Sequence, residues 1–370
     1  MIGEFNRKVI ERRNRAIIGQ PNCIPFGISQ LRPFFPGIDK CQYIGITGTA
    51  KSGKTSFMSN LMLYDPLEQL FQNNGLYDLQ YLYISLEEPY EKILARYVSY
   101  LFYRIYNKRI DYNLLMSNDS ERLMSDEQVK LFLSDDIQKR LQFFINHVTF
   151  VFFTTRIDQI IFKILQFANK CGKVTFTEIS NDGVVEKLPT AFTPNNPNQY
   201  RVVILDNLTN VDTSKSHPTK FSAIEKLSSK IVGFKDLFNF TFVALIQQNP
   251  KETGSMAAYN SGNILGTVSG IRDYPQLAGD VTDLWSISNP SDFQQCHTFG
   301  ENGNYYDIDR LGGYFRVFKI LRCRNGECNI PANLFFDGVS MHYELLPSVN
   351  SEEMCKFYQM VDSYNDSLFK

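Results

Sequence analysis

The chain has 370 residues, with 38 Lys and Arg against 39 Asp and Glu and a formal net charge of −1. This balance excludes a general electrostatic attraction to nucleic acid or membranes, so a polyanion would have to be held by a local basic patch. No apolar run approaches the roughly 18 residues of a membrane helix, and no signal-peptide pattern is present. The scattered cysteines predict reduced, structural thiols in a cytosolic protein.

The first 38 residues are predicted to form an amino-terminal arm. Residues 6–15 (NRKVIERRNR) are strongly basic and predict a short helix, which is either solvated or contacts DNA or a neighbouring subunit. Residues 24–38 are rich in Pro and Phe and are expected to wrap the edge of the domain that follows.

A phosphate-binding loop follows, because GTAKSGKT matches the pattern G-x-x-x-x-G-K-[ST]. Glycines let backbone N–H groups curve around phosphate oxygens, Lys54 supplies charge for the β- and γ-phosphates, and the Thr55 hydroxyl can ligate Mg²⁺. The preceding run YIGIT predicts a strand and the following run predicts a helix, which is the context that the motif requires. The predicted nucleotide-binding residues are Gly48, Thr49, Ala50, Lys51, Ser52, Gly53, Lys54, Thr55 and Ser56.

Strands and helices alternate from residue 41 onward, which predicts an α/β domain over 39–345 with a mostly parallel sheet covered by helices. The predicted strands are 43–47, 79–85, 149–153, 201–205, 240–246, 283–287 and 314–321. Beyond the phosphate-binding loop, the predicted helices are 88–103, 157–171 and 221–237.

Two insertions and a tail complete the predicted organisation. The insertion at about 174–199 contains Asp182–Gly183 in a β-branched run, which predicts a β-hairpin. The insertion at about 291–313 is rich in Gly, Asn and Asp and is interpreted as a surface excursion. The tail, 346–370, is predicted to hold a short helix.

Polar side chains follow three of the predicted strands. Asp206 ends RVVILD, where phosphate-loop ATPases direct an acid to the Mg²⁺ shell through water. Glu87 and Glu88 follow YLYISL, and either could polarise an attacking water or simply favour a helix N-terminus. Gln247 ends FVALIQ, where its amide could sense the γ-phosphate or cap a turn.

Two arginines end the last predicted strand. Arg322 and Arg324 are two positions apart and therefore share a face, and the turn signal Asn325–Gly326 follows. Paired cations beside a turn suit an arginine finger, which can contribute about 10³–10⁵ in rate. A solvated charge pair is the alternative.

In chain order, GTAKSGKT, SLEE, the helix with Arg96, ILDNL, LIQQN, AGDVTDLW and LRCRNG resemble the ATPase domain of DnaB-like replicative helicases. The resemblance extends over about residues 24–337. It implies a RecA-like P-loop NTPase fold, ATP and Mg²⁺ as cofactors, single-stranded DNA as a partner, and a homo-oligomeric, hexameric ring. It also implies DNA unwinding during replication in the cytoplasm, in a bacterial host if the gene is carried by a phage or plasmid.

The resemblance implies a role for each motif residue. Lys54 and Thr55 would bind phosphate and Mg²⁺, Glu87 would be the general base, and Gln247 the sensor. The resemblance further assigns Asp206 to the metal and Arg322 and Arg324 to the next subunit's nucleotide. Pro250 and Asn207 depart from the family's usual Arg and Tyr. We do not expect the sequence to hold the family's primase-docking domain, so primase or loader contacts are expected to differ or to come from another chain.

Two loops would contact DNA if the resemblance holds. The first, 211–220, contains Lys215 and Lys220, and the second, 251–272, contains Lys251 and Arg272. Mobile polar loops suit a grip on single-stranded backbone. Two alternative functions remain open from the sequence: a RecA-like recombinase or strand-annealing ATPase, and a ring ATPase that switches protein partners.

Overall fold

The computed structural model describes residues 2–28, 31–32, 35–73, 77–117, 121–181, 184–249, 264–293, 295–324, 326, 328 and 331–368. The strands are β1 (Ile24–Pro25), β2 (Gly37–Ile38), β3 (Tyr43–Gly48), β4 (Leu79–Ser85), β5 (Val148–Phe152), β6 (Gly172–Asn181), β7 (Val184–Pro194), β8 (Tyr200–Asp206), β9 (Thr241–Gln247), β10 (Asp283–Ser288), β11 (Thr298–Glu301), β12 (Asn304–Asp307), β13 (Phe315–Cys323), β14 (Pro331–Asp337) and β15 (His342–Leu345).

The first nine α-helices of the described residues are α1 (Ile2–Ile17), α2 (Lys54–Ser59), α3 (Asp65–Gln72), α4 (Tyr90–Tyr106), α5 (Tyr112–Leu115), α6 (Asp126–Phe132), α7 (Asp135–His147), α8 (Ile157–Cys171) and α9 (Lys220–Phe238). A π-helical turn, Asn60–Tyr64, joins α2 to α3. Two short helices (Leu277–Asp280 and Ile308–Leu311) and the C-terminal helix (Glu352–Leu368) follow. Among the described residues, none of the helices combines the length and apolar character that crossing a membrane requires.

Nine strands form one sheet in the order β15-β14-β13-β10-β3-β9-β8-β4-β5. The six strands from β10 to β5 are parallel to one another, whereas β13, β14 and β15 extend the sheet from β10 in antiparallel fashion. Each predicted strand is present, with ends within two residues of the prediction. The α/β fold class predicted from the alternating pattern is confirmed.

Helices cover both faces of the parallel strands, which explains the unbroken apolar run 202–205 in β8. Val202 and Ile204 point into the core on the side of α2, α3, α4 and α7, whereas Val203 and Leu205 point into the core beneath α8 and α9. A strand that is buried on both faces cannot alternate between apolar and polar residues. This continuous run carries Asp206 to the carboxyl edge of the sheet.

The first insertion forms the predicted hairpin, because β6 and β7 pair in antiparallel fashion. Its turn, Asp182–Gly183, lies outside the described residues. The second insertion, 291–313, is still interpreted as a surface excursion, because its described residues 298–305 are exposed or half-buried, although it also contributes buried residues. Tyr306 and Leu311 are buried there and pack with Met354 of the C-terminal helix in a separate core. The Gly and Asn residues mark turns of this unit, and the apolar residues between them supply its core.

The amino-terminal segment divides into two parts. The predicted basic helix is present as α1, none of whose residues is buried. Residues 24–38, in contrast, contribute to the main core: Phe26 and Phe35 pack edge-on against Trp285, with ring centroids 5.6 and 5.1 Å away. The described residues of this segment therefore include part of the main core.

Candidate nucleotide-binding site

The parallel strands bring the predicted phosphate-site residues to one edge of the sheet. Gly48 at the end of β3 pairs with Gln247 at the end of β9, and Ser85 at the end of β4 pairs with Asp206 at the end of β8. Ligands of open α/β sheets bind at the carboxyl ends of the strands. The geometry therefore groups the loop, the acid and the amide.

Lys54 is the first residue of α2 and is only 7% exposed. Its Nζ donates hydrogen bonds to the carbonyl oxygens of Gly48 (3.0 Å) and Thr49 (2.6 Å). Burial lowers the pKa of Lys54 to about 8, against the opposing effect of the carboxylates of Asp206 and Glu87. A phosphate beside Nζ would favour the charged form of the lysine.

The rest of the loop combines exposed and buried positions. Ala50 and Lys51 are exposed, Thr49, Thr55 and Ser56 are half-buried, and Ser52 is buried. Gly53 has φ 94° and precedes the first helical residue. This left-handed conformation favours glycine, which accounts for the second fixed glycine of the motif.

Asp206 is buried beside the loop, with 4% exposure. Its Oδ1 accepts a hydrogen bond from Thr55 Oγ1 (3.3 Å), and its Oδ2 accepts one from the Tyr83 hydroxyl (2.9 Å). Burial raises the pKa of Asp206 to about 6, against the two hydrogen bonds, which lower it. A hydroxyl and a carboxylate at this separation fit Mg²⁺, which prefers oxygen ligands and retains waters.

Tyr83 belongs to none of the predicted site residues, although the pattern of β4 indicates that it is a buried tyrosine. Tyr81 and Tyr83 are two residues apart, so they share one face of β4, and both are fully buried. A buried phenol needs a polar partner, and Asp206 on the adjacent strand is that partner for Tyr83. The sequence does not show which partner, because this contact joins residues 123 positions apart.

The structure separates Glu87 from Glu88. Arg96 of α4 makes a bidentate ion pair with Glu88, with Nη2 2.7 Å from Oε1. The backbone N–H of Glu88 also donates to Ser85 Oγ at 3.0 Å. Glu87 is exposed at the same bend, and no described residue forms a hydrogen bond or ion pair with its carboxylate. Glu88 is thus held in place, whereas Glu87 is available to a ligand.

The two amides after β9 differ in the same way. Gln248 is 1% exposed, and its Nε2 donates to Thr47 Oγ1 (3.0 Å) and to the Thr267 carbonyl (2.9 Å). Gln247 is half-buried, and its Oε1 lies 3.4 Å from Arg272 Nη1. Gln248 therefore connects the loop strand β3 to the segment that follows β9, whereas Gln247 contacts Arg272, a predicted DNA-binding residue.

Arg322 and Arg324 lie at the opposite edge of the sheet. Because β13 is antiparallel to β10, its carboxyl end meets the amino end of the parallel strands, and Arg322 pairs with Leu284. The backbone N–H of Arg324 donates to the Thr282 carbonyl at 3.0 Å. Both side chains are exposed.

This placement separates the arginines from the phosphate-binding loop of their own chain. The Thr282 N–H donates to the carbonyl of Tyr43, which is the first residue of β3. The loop begins at Gly48, which is the last residue of the same strand. At about 3.3 Å per residue, the backbone of Arg324 lies roughly 17 Å along the strand direction from the loop. Its Nη2 donates to the Gly279 carbonyl at 2.8 Å, at that same edge.

The predicted DNA-binding residues are placed unequally. Lys215 is exposed, and Lys220 Nζ donates to the Val211 carbonyl, which closes the first loop on itself. Arg272 is exposed and pairs with Asp273 at 3.4 Å. Lys251 lies outside the described residues, as does Pro250.

No protein-family model and no curated protein match this chain. Solved structures do match it. One is a separately solved ATPase domain, at 16% identity and a TM-score of 0.58, covering 94% of this chain and 99% of that one. Another is a DnaB-like replicative helicase, described with its interactions with primase, at 14% identity and a TM-score of 0.59; the match covers 92% of this chain and 66% of that one.

These likenesses define the class: the chain has the fold of a RecA-like ATPase domain. More narrowly, it has the fold of the ATPase domain of DnaB-like replicative helicases, as the sequence resemblance predicted.

Proposed function

We propose that the chain is the ATPase of a cytoplasmic DNA helicase that assembles as a ring, translocates on single-stranded DNA and unwinds duplex during replication. The fold supports this proposal, as do the complete phosphate-binding loop and the acid beside it. A hexamer is the ring size that we propose, and a primase or loader would be a further partner.

In the proposed site, Lys54 and the N–H groups of the loop bind the phosphates of ATP. Thr55 and, through water, Asp206 hold Mg²⁺, which when bound neutralises charge on the phosphate oxygens. Glu87 takes the proton of the attacking water, since its carboxylate has no described partner. Gln247 is paired with Gly48, the first residue of the loop, and would act as the sensor of the γ-phosphate.

The observation that carries the proposal is the separation of the exposed arginine pair from the phosphate-binding loop, which lies at the other edge of the sheet. Arg322 and Arg324 are exposed, and their own loop is beyond their reach. An arginine finger at this position can act only on the nucleotide of an adjoining copy. A ring of identical subunits provides such a neighbour for every site.

The exposed apolar side of α1 also supports self-assembly. Ile2, Phe5 and Val9 are 77%, 66% and 50% exposed, and their spacing places them on one side of the helix. An apolar stripe that is half or more exposed suits a contact with another copy.

Strand displacement from a forked duplex, with and without ATP and Mg²⁺, tests the proposal. We expect ATP-dependent displacement and stimulation of hydrolysis by single-stranded DNA. Filaments that anneal strands without separating them would favour a recombinase. Hydrolysis that is indifferent to DNA would favour a switch acting on protein partners, and either result would overturn the helicase proposal.

A further inference from the structure

A buried arginine lies directly beneath the phosphate-binding loop. Arg316 of β13 is 5% exposed, and its Nε donates to the Ser52 carbonyl at 2.8 Å. Its Nη1 donates to the carbonyls of Gly313 and Phe315, both at 2.7 Å. Among the described residues, no carboxylate lies within ion-pair distance of this guanidinium.

A buried tyrosine holds the next carbonyl of the loop. The Tyr343 hydroxyl, on β15, donates to the Gly53 carbonyl at 3.2 Å. The Tyr343 ring is stacked on Phe336 with centroids 4.2 Å apart, and the Arg316 guanidinium lies 5.1 Å from the same Phe336 ring. A side chain at Gly53 would place Cβ 2.5 Å from the Tyr343 hydroxyl, so the glycine is also required for this packing.

Because peptide units are planar, these two contacts with carbonyl oxygens also set the direction of the N–H groups on the opposite side of the loop. In a trans peptide unit, the C=O and the following N–H point in opposite directions. Fixing the Ser52 carbonyl directs the Gly53 N–H away from Arg316. The Gly53 carbonyl, which accepts hydrogen bonds from Tyr343 and from the helical N–H of Phe57 (2.8 Å), directs the Lys54 N–H away from Tyr343 in the same way. We infer that Arg316 and Tyr343 are positioning residues, which orient the phosphate-binding amides of the loop from behind.

The chemistry of arginine suits this position. A buried cation is costly unless its donors are satisfied. The guanidinium reaches three carbonyls from two nitrogens, Nε and Nη1, that are held in one plane, whereas the donors of an ammonium group all radiate from a single nitrogen. Burial lowers the pKa of Arg316, although arginine remains charged in proteins. Its charge also favours an anion on the far side of the loop.

The inference rests on one part of the proposed function, the binding of nucleotide phosphates by this loop. Titration with a fluorescent ATP analogue and Mg²⁺ measures it in four variants: Arg316→Lys, Tyr343→Phe, Lys54→Ala and Arg201→Lys. Arg201 is the matched control, because it is 1% exposed and donates to the carbonyls of Asn196 and Gln199 at the amino end of β8. Melting temperatures without nucleotide report folding for each variant.

We expect Arg316→Lys to weaken nucleotide binding on the order of tenfold and Tyr343→Phe by about threefold to tenfold, as the loss of buried hydrogen bonds predicts. Arg201→Lys should lower the melting temperature without changing affinity. Wild-type affinity in both site variants, with binding lost in Lys54→Ala, would overturn the inference and leave the proposed nucleotide site intact. Absence of binding in the wild-type chain would overturn both. If Arg316→Lys fails to fold, Tyr343→Phe decides alone.

Discussion

The two edges of the sheet carry opposite kinds of residue. At the carboxyl edge, Lys54 and Asp206 are buried and held by several hydrogen bonds, so their positions are fixed before any ligand binds. At the amino edge, Arg322 and Arg324 are exposed, and no described residue forms an ion pair with either. Under the proposed function, the carboxyl edge binds the nucleotide and the amino edge acts on the nucleotide of a neighbouring copy.

Substitution at the amino edge tests this division with the largest expected effect. Arg324→Ala should keep nucleotide affinity, because the loop is intact, and should lower DNA-stimulated turnover by about 10³–10⁵-fold, as for other arginine fingers. Steady-state hydrolysis measures it, with Arg310→Ala as control, because Arg310 is exposed and pairs with Asp362 instead.

A mixing experiment sharpens the same comparison. Arg324→Ala subunits retain the loop and Lys54→Ala subunits retain the arginine, so mixed assemblies should contain some complete sites and recover part of the hydrolysis. No recovery in assemblies shown to contain both variants would contradict a site shared between copies.

Substitution of Glu87, at the bend after β4, should have the next largest effect on hydrolysis. Glu87→Gln should keep ATP binding and lower hydrolysis by about 10²–10⁴-fold, which is the contribution of a general base. Glu88→Gln breaks the ion pair with Arg96. Both side chains of this pair are 22% exposed. This variant should lower the melting temperature by a few degrees and affect turnover less. Equal losses of turnover in the two variants would remove the assignment of Glu87.

The carboxyl edge should also respond to pH through Asp206. Burial raises the pKa of Asp206 to about 6 from its ordinary 3.8, so the folded chain binds this proton more tightly than the unfolded chain. Between these two values, the contribution of this carboxyl to the free energy of unfolding therefore falls as pH rises. Mg²⁺ requires the deprotonated form.

Stabilisation by Mg²⁺ and ATP, measured as a rise in melting temperature, should therefore be small near about pH 5 and complete above about pH 7. Asp206→Asn should lose most of the stabilisation that depends on Mg²⁺ and should no longer show this pH dependence. An unchanged pH profile in that variant would assign the titration to another group.

The sequence predicts the carboxyl edge better than the rest of the molecule for a physical reason. The loop is contiguous over 48–55, and the strands that lead to Asp206 and Gln247 are apolar because both faces are buried. The choice between Glu87 and Glu88 depends on Arg96, whose reach to one of them is set by the packing of α4. That contact has no signature in the spacing of the two acids.

The antiparallel extension and its contacts are harder to predict. β14 begins with Pro331, and β15 has four residues, so neither gives a clear strand pattern. The contact of Arg316 with Ser52 joins residues 264 positions apart and depends on how β13 pairs with β10, whose register shifts between Leu284 and Trp285. Long-range register of this kind is not encoded in local spacing.

Tyr83→Phe should give the smallest effect and test the electrostatics of the carboxyl edge most finely. The Tyr83 hydroxyl donates to Asp206 Oδ2, which favours the charged carboxylate. Loss of this hydroxyl should raise the pKa of Asp206 further and shift the midpoint of the pH profile upward. It should lower the affinity for Mg²⁺ by at most about tenfold.

Tyr81→Phe is the matched control for this variant. Tyr81 is equally buried on the same face of β4, but its hydroxyl donates to the Met62 carbonyl at 2.7 Å and does not contact Asp206. The two substitutions remove the same atom from the same strand, so both should cost a similar amount of folding stability. A shift of the pH midpoint only in Tyr83→Phe would show that the phenol acts on the carboxylate; equal shifts in both variants would mean that packing of β4 sets the titration.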